Sequence, residues 1–246
     1  MKITLPKKAG AGILLLALLW IGLPAQDLKT VKLNPPDLKR GLPIMQALSM
    51  RASVRDWSPK ELGLQDLSDL LWAANGINRP ESKKRTAASA MNAQDVDIYV
   101  FNKDGVYLYD AAAHALTPVA AGDHRPDIAM MRGGPGAKPP AKPGEKPEGA
   151  PPAKPEAKPG APPAAPPVQL VLVSDISRFR MGADEQKLGL AALDTGIVSQ
   201  NIALFCAGTG LVTRPRASIN KDKLKALLKL KDTQYPLLEH PVAYPK

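Results

Sequence analysis

Residues 183–207 read ADEQKLGLAALDTGIVSQNIALFCA, and this stretch decides the fold. Its apolar residues have helical spacing, yet they are spread widely around the helical wheel. A helix that is apolar nearly all round is normally buried. The sequence therefore predicts one long central helix, which could share a face with a second subunit.

Regular patterns flank this helix on both sides. An amphipathic helix is predicted from a start at Pro59-Lys60-Glu61 to a stop at Asn75-Gly76. Alternating residues on either side of Asp104-Gly105 predict a β-hairpin, and the apolar run 168–173 predicts a buried strand. The remaining predictions are a loop at 82–93, a helical stop at Gly208 and Gly210, a short basic helix at 221–230 and a final strand at 237–244. The order is typical of a mixed α+β fold with a mostly antiparallel sheet.

Two segments are predicted to lie outside this fold. Residues 1–25 combine three lysines, a short apolar run and a small residue at Ala25, which is the pattern of a secretory signal peptide. A retained membrane anchor is the alternative interpretation. Residues 132–167 hold half of the 26 prolines and predict a disordered, polyproline-like insert. That insert is either an inert surface tether or a contact segment for a glycan or partner.

The remaining residues form one domain. An extended arm at 26–43 precedes a first part at 44–131, and a second part covers 168–246. The formal charge of the 246-residue chain is +10, but the signal and the insert carry most of it. The domain keeps about +4 without a basic stripe or an aromatic platform, which argues against nucleic-acid binding. With one cysteine, Cys206, an internal disulfide framework is excluded, and we expect this side chain to be buried.

Common catalytic signatures are missing from the sequence. There is no nucleophile elbow, no zinc-protease motif and no Walker-type phosphate loop. Gly208-Thr209-Gly210 lacks the third glycine of a dinucleotide fingerprint. His114, His124 and His240 have no spacing typical of metal ligands. We therefore name no catalytic residue and no metal site from the sequence.

Three segments carry residue types that suit a phosphate or a polar ring. Arg51-Ala52-Ser53-Val54-Arg55, if extended, places two guanidinium groups and a hydroxyl on one side. Ala88-Ser89-Ala90-Met91-Asn92-Ala93-Gln94 combines small residues with polar donors and acceptors. The third segment, 210–218, is a loop that follows the long helix. Each segment alone is a weak signal.

In this order, the three segments resemble motifs of the flavin-dependent nitroreductase family. Leu67 to Gly76 resembles the helix after the family's first phosphate motif, and Asp194 to Asn201 resembles the start of its central helix. Pro241-Val242-Ala243-Tyr244-Pro245 is similar to its closing motif. The form Trp72-Ala73-Ala74-Asn75-Gly76 looks closest to the branch that contains oxidases of thiazole- and oxazole-forming peptide pathways.

The resemblance implies a nitroreductase-like α+β fold, with a mostly antiparallel sheet flanked by helices and an intertwined homodimer. It implies one FMN at each of two subunit interfaces. Its expected cofactor contacts come from three groups, with the second group supplied by the partner subunit in many members. These groups are Arg51, Ser53 and Arg55; Ser89, Ala90 and Asn92; and Arg216, Ala217 and Ser218.

The function implied is an exported oxidoreductase, in the periplasm or outside the cell, that passes hydride through FMN. Its substrate would be a small molecule or a peptide, and no stable membrane span would remain after signal removal. The alternative is a non-catalytic binding or cell-envelope module that has lost flavin. Ala88, Met91 and Ala243 favour this alternative because they depart from the family pattern. Retention of flavin distinguishes the two hypotheses.

Overall fold

The computed structural model describes residues 28–130 and 165–246. Its α-helices are α1 (Ile44–Met50), α2 (Leu64–Asn75), α3 (Asp184–Thr209) and α4 (Lys221–Leu228). Its strands are β1 (Val31–Lys32), β2 (Ile77–Arg79), β3 (Lys84–Arg85), β4 (Val96–Phe101), β5 (Gly105–Asp110), β6 (Ala115–Ala121), β7 (Val168–Asp175), β8 (Val212–Thr213) and β9 (Gln234–Ala243). The predicted α+β class with an antiparallel sheet is confirmed.

Strand β7 lies in the middle of the main sheet. Within the described residues that sheet has the order β1-β6-β5-β4-β7-β9-β8, and all of its paired strands are antiparallel. Every residue of β7 is buried, which explains why its sequence is mostly apolar rather than an alternation of apolar and polar residues. The β4–β5 hairpin turns at Asn102, whose Oδ1 accepts the backbone N–H groups of Asp104 and Gly105, both at 2.9 Å.

Helix α3 is the long helix that the sequence predicts. It packs on α1, α2 and the strands β7 and β9, and it ends at Gly210, which adopts φ +77°. By length and composition alone, this 26-residue helix is long and apolar enough to cross a bilayer. Its buried residues include Asp194, Thr195 and Ser199, as in the core helix of a globular domain.

In the single chain, α3 is buried on one side only, and the sharing of its other face with a second subunit stays a prediction. Leu193 is 67% exposed and Ile197 is 39% exposed. The two residues are four positions apart and therefore lie on the same side of α3, which is the side exposed to solvent. An apolar helix face in this position marks a surface that a further chain could cover.

Several predicted boundaries are corrected by the structure. The first predicted helix begins at Leu64 rather than at Pro59, because residues 59–63 have no regular secondary structure and Gly63, in an extended conformation, is its N-cap. Gly208 lies inside α3, and α4 ends at Leu228. The predicted loop at 82–93 contains β3, and the final strand starts earlier, at Gln234.

The sequence patterns did not indicate α1 or the strands β1, β2, β3, β6 and β8. Strand β6 was hidden by Pro118, which cannot donate a ladder hydrogen bond. The structure accommodates this proline because β6 lies beside the two-residue edge strand β1. Residues 1–27 and 131–164 are outside the described part of the chain, and so the signal peptide and most of the insert cannot be compared with it.

Candidate functional site

The segment Arg51–Arg55 is held against the end of the main sheet. Ser53 forms a parallel bridge with Thr213, and the backbone N–H of Val54 donates to the Thr213 carbonyl at 3.0 Å. Ala52 and Val54 line a cavity of about 240 Å³ with the end of α3. Arg51, Ser53 and Arg55 are exposed, and Ala52 between them is exposed as well.

His240 fixes the strand that holds this segment. It is fully buried on β9, where its Nε2 lies 2.8 Å from Ser199 Oγ and its Nδ1 lies 3.1 Å from Thr213 Oγ1. Burial lowers the pKa of His240 to about 3, and so the ring is neutral at physiological pH. The histidine therefore links α3, β8 and β9 by hydrogen bonds rather than by charge.

Arginines are concentrated beside this bridge. The Arg216 side chain binds the fully buried Glu239 carboxylate, and the two residues also exchange backbone hydrogen bonds of 2.9 and 2.8 Å. Burial raises the pKa of Glu239, an effect that Arg216 opposes. Burial lowers the pKa of Arg214, and the positive charges of Arg216 and Arg55 lower it further. The region therefore carries more positive charge than Glu239 balances.

Arg214 also has an unused donor. Its Nε is buried and has no hydrogen-bond partner among the residues that the structure describes. Beyond it, Ala217 and Ser218 are exposed in a tight turn closed by the Ile219 N–H to the Ala217 carbonyl at 2.9 Å. A cluster of arginines with an unused guanidinium donor is suited to an anionic ligand.

The loop at 88–94 has an unusual backbone. Met91, Asn92 and Gln94 have φ values of 53°, 52° and 48°, in the left-handed region that non-glycine residues seldom occupy. Such conformations persist only where the surroundings enforce them, and they cluster at ligand sites. Here Ser89 Oγ accepts the Gln94 N–H at 2.9 Å, which closes the loop on itself.

Helix α3 anchors this loop. The Ala90 N–H donates to both carboxylate oxygens of Asp194, at 2.8 and 3.0 Å. The cavity beside Ala52 and Val54 is lined instead by Cys206, twelve residues further along α3. Twelve helical residues span about 18 Å. Within one chain, the structure thus joins 51–55 to 212–218 but leaves the 89–92 loop well apart from them.

Several site residues were not singled out from the sequence. Arg214 could have been found from its alternation with Arg216. Glu239 and His240 could have been noticed because they interrupt the otherwise apolar final strand, where polar groups normally need partners. Cys206 behaves as expected: it is buried, and burial raises the pKa of its thiol, which makes it an inert packing residue.

The described residues thus form an α+β fold, with an antiparallel sheet packed on one long helix and a cluster of arginines at the end of the sheet. The model of the Nitroreductase family matches residues 48–244. The chain therefore belongs to the nitroreductase family, and it is a nitroreductase-family oxidoreductase.

Individual relatives agree with this assignment. A protein of Methanocaldococcus jannaschii named as a nitroreductase is 24% identical over 219 residues, which cover 87% of this chain and 96% of the relative. The crystal structure of a Ralstonia eutropha protein named as a nitroreductase has a TM-score of 0.71 and 27% identity, and covers 88% of this chain and 90% of that one. The Escherichia coli microcin synthetase McbBCD complex has a TM-score of 0.60 and 17% identity over 80% of this chain and 70% of that one, and it shows similarity of fold.

Proposed function

We propose that this chain is an exported, FMN-dependent oxidoreductase whose flavin sites each lie between two subunits. The observation that carries the proposal is the bridge between Ser53 and Thr213, which brings the Arg51–Arg55 segment beside Arg214 and Arg216. In a nitroreductase-family chain, such a cluster of arginines has the donors that a flavin phosphate and a flavin ring edge require.

The residues present fit FMN. Arg51, Ser53 and Arg55 are exposed and free to form charge-assisted hydrogen bonds to a phosphate or to ring oxygens. The buried Nε of Arg214 offers a further donor. The backbone at 216–218 is held on Glu239 at one end and exposed at the other, which allows close approach to a planar ring.

The second half of each site would come from the partner's 89–92 loop. Ser89, Ala90 and Asn92 lie about 18 Å of helix away from the first half in the same chain. A two-fold dimer that packs α3 against its copy would bring one chain's loop to the other chain's arginines.

The exposed apolar residues support a dimer of this kind. Leu193 and Ile197 on α3 are exposed, and so are four apolar side chains on α1. These α1 residues are Ile44, Met45, Leu48 and Met50. Exposed apolar side chains on two helices that pack together are suited to an interaction site, and a homodimer buries the same residues on both chains.

Bound FMN would accept hydride from one substrate and deliver it to another. The residues of this chain would bind and orient the cofactor. The arginines would bind its negatively charged phosphate, and the loop would offer backbone and side-chain amide groups. No side chain is assigned as an acid or base. This matches a reaction in which the protein supplies position and electrostatics.

The substrate class we propose is a small molecule or a peptide. The sequence Trp72-Ala73-Ala74-Asn75-Gly76 forms the end of α2 and its C-cap, and it resembles the oxidase branch of thiazole- and oxazole-forming pathways. The microcin synthetase complex, which shares the fold, was solved with truncated pro-MccB17 bound. A peptide acceptor is therefore the first class to screen.

Purified protein is expected to be yellow, with one FMN per chain. Absorbance between 350 and 500 nm and a titration of the apo-protein with FMN measure this directly. Colourless protein that also fails to bind added FMN would overturn the proposal and would indicate a non-catalytic member of the family.

Mixed dimers test the two-subunit site. One variant carries Arg51→Ala and Arg55→Ala, the other carries Ser89→Ala and Asn92→Ala, and each alone is expected to lose flavin. In a heterodimer of the two variants, one site contains all four substitutions and the other site contains none. We therefore expect the heterodimer to bind one FMN per dimer. A site built within a single chain predicts that mixing restores no flavin.

We also propose that the protein is exported and loses residues 1–25. The support is the sequence of this segment, with Lys2, Lys7 and Lys8 before a short apolar run. Mass spectrometry of protein from the cell envelope is expected to show a chain that begins at Gln26. An intact N-terminus on membrane-bound protein would indicate the retained anchor instead.

A further inference from the structure

Two carboxyl groups, Asp95 and Asp194, are buried side by side beneath the 88–94 loop. Both are almost fully inaccessible to solvent, and they line the same small cavity. Asp194 faces this cavity from α3, where its carboxylate binds the Ala90 N–H, and Asp95 faces it from the residue before β4. Two buried carboxylates in contact repel each other strongly, and so such a pair keeps one proton.

The hydrogen bonds of Asp95 indicate where this proton lies. Its Oδ2 accepts a hydrogen bond from Ser174 Oγ. Its Oδ1 is buried, and within the described ranges no group donates a hydrogen bond to it. If both carboxyls were ionised, this oxygen would remain without a donor. A proton between Asp95 and Asp194 satisfies this oxygen without any further partner.

The neighbouring charges do not replace that proton. Arg178 is committed to Asp97, with hydrogen bonds of 2.9 and 2.6 Å. Arg85 lines the cavity but donates to Gln94 Oε1 at 3.0 Å and to the Asn75 carbonyl. Asp175, on β7 next to Ser174, adds negative charge and accepts from Ser177. The acid pair therefore faces no cation that is free to neutralise it among these groups.

We propose that Asp95 and Asp194 share one proton and that this acid pair holds the Ser89–Gln94 loop in its left-handed conformation. Asp194 binds the Ala90 N–H at the start of the loop, and Asp95 directly follows its end. The shared proton thus ties the two ends together. The pair acts as a set of positioning residues for the cofactor loop, a role that rests on the proposed function.

The pair makes loop closure sensitive to pH. Burial, together with the neighbouring Asp194, raises the pKa of Asp95 to about 7, whereas the Ser174 hydroxyl opposes the rise. An exposed aspartate has a pKa of about 3.9. At a pH between these two pKa values, Asp95 is protonated when the loop is closed and releases its proton when the loop opens. Closure is thus most favourable at low pH and weakens as pH rises toward 7.

Hydrogen exchange of the apo-protein tests the pair without flavin. After correction for intrinsic exchange, opening at residues 89–94 is expected to rise by up to about tenfold per pH unit between pH 5 and 7 and to level off above. In Asp95→Asn, the amide donates to Asp194 without a titrating proton, and so the pH dependence disappears. The exposed Asp232→Asn substitution is the matched control and retains the wild-type dependence.

A second variant guards against poor folding of Asp95→Asn. Ser174→Ala removes the hydroxyl that opposes the rise in pKa, and so the pH at which opening levels off is expected to move upward. The same pH dependence in wild type and Asp95→Asn, or an unmoved break in Ser174→Ala, would overturn the proposal. FMN affinity measured across the same pH range separates the acid-pair proposal from the proposed function. If the loop opens with the expected pH dependence but the protein binds no FMN, the acid-pair proposal stands and the proposed function is wrong.

Discussion

Replacing Glu239 by alanine is expected to lower the free energy of unfolding by about 3 kcal/mol or more. The carboxylate is fully buried and binds the Arg216 guanidinium, and it also accepts from Gln169 Nε2 at 3.2 Å. Its removal leaves a partly buried cation and a buried amide without their acceptor. Loss of one partner from a buried pair is costly because the other charge stays desolvated. Urea denaturation of wild type and variant measures the difference.

The chain offers a matched control for this substitution. Asp56 and Lys246 form an ion pair of 3.5 Å whose side chains are 70% and 74% exposed. Asp56→Ala is expected to change stability by at most about 0.5 kcal/mol, because water screens an exposed pair. Glu239→Gln retains an acceptor oxygen and should fall between the two. Equal losses for Glu239→Ala and Asp56→Ala would contradict the buried-pair argument.

Replacing Arg51 by alanine is expected to weaken FMN binding by about 1.5–3 kcal/mol. This corresponds to a dissociation constant about 10 to 150 times higher. Arg51 is exposed at the C-terminal end of α1, so its removal should leave the fold intact. The physical reason is the loss of a charge-assisted hydrogen bond to the flavin phosphate. Fluorescence titration of the apo-protein measures the change.

Riboflavin provides the sharper comparison for Arg51. It lacks the phosphate, and so its affinity should be nearly the same in wild type and Arg51→Ala. Lys221→Ala on α4 removes an exposed positive charge elsewhere and should leave FMN binding unchanged. Unchanged FMN affinity in Arg51→Ala would show that this arginine does not hold the phosphate.

Much of the fold could be predicted from local patterns in the sequence. The β4–β5 hairpin shows alternation, β7 and α3 are mostly apolar runs of the length expected for a strand and a helix, and residues such as Gly76 and Gly210 mark the ends of α2 and α3. These signals depend on neighbours within a few residues along the chain, and so no tertiary information was needed. Strand β6 was missed because Pro118 is tolerated only through its position near the sheet edge.

The candidate site was harder to predict because its contacts are distant in sequence. The bridge from Ser53 to Thr213 joins residues 160 positions apart, and nothing in either segment specifies the other. The partnership of Asp95 with Asp194 has the same character. Sequence motifs located three segments, but only the fold shows that two of them meet and that the third lies on a different part of α3.

The length of α3 between Asp194 and Cys206 has a thermodynamic consequence. In the proposed dimer, every flavin is bound by both chains, and so a ligand that binds the dimer also opposes its dissociation. Cofactor supply and protein concentration then become linked variables. Where FMN is scarce, the monomer population grows, and the apolar face of Leu193 and Ile197 is open to water.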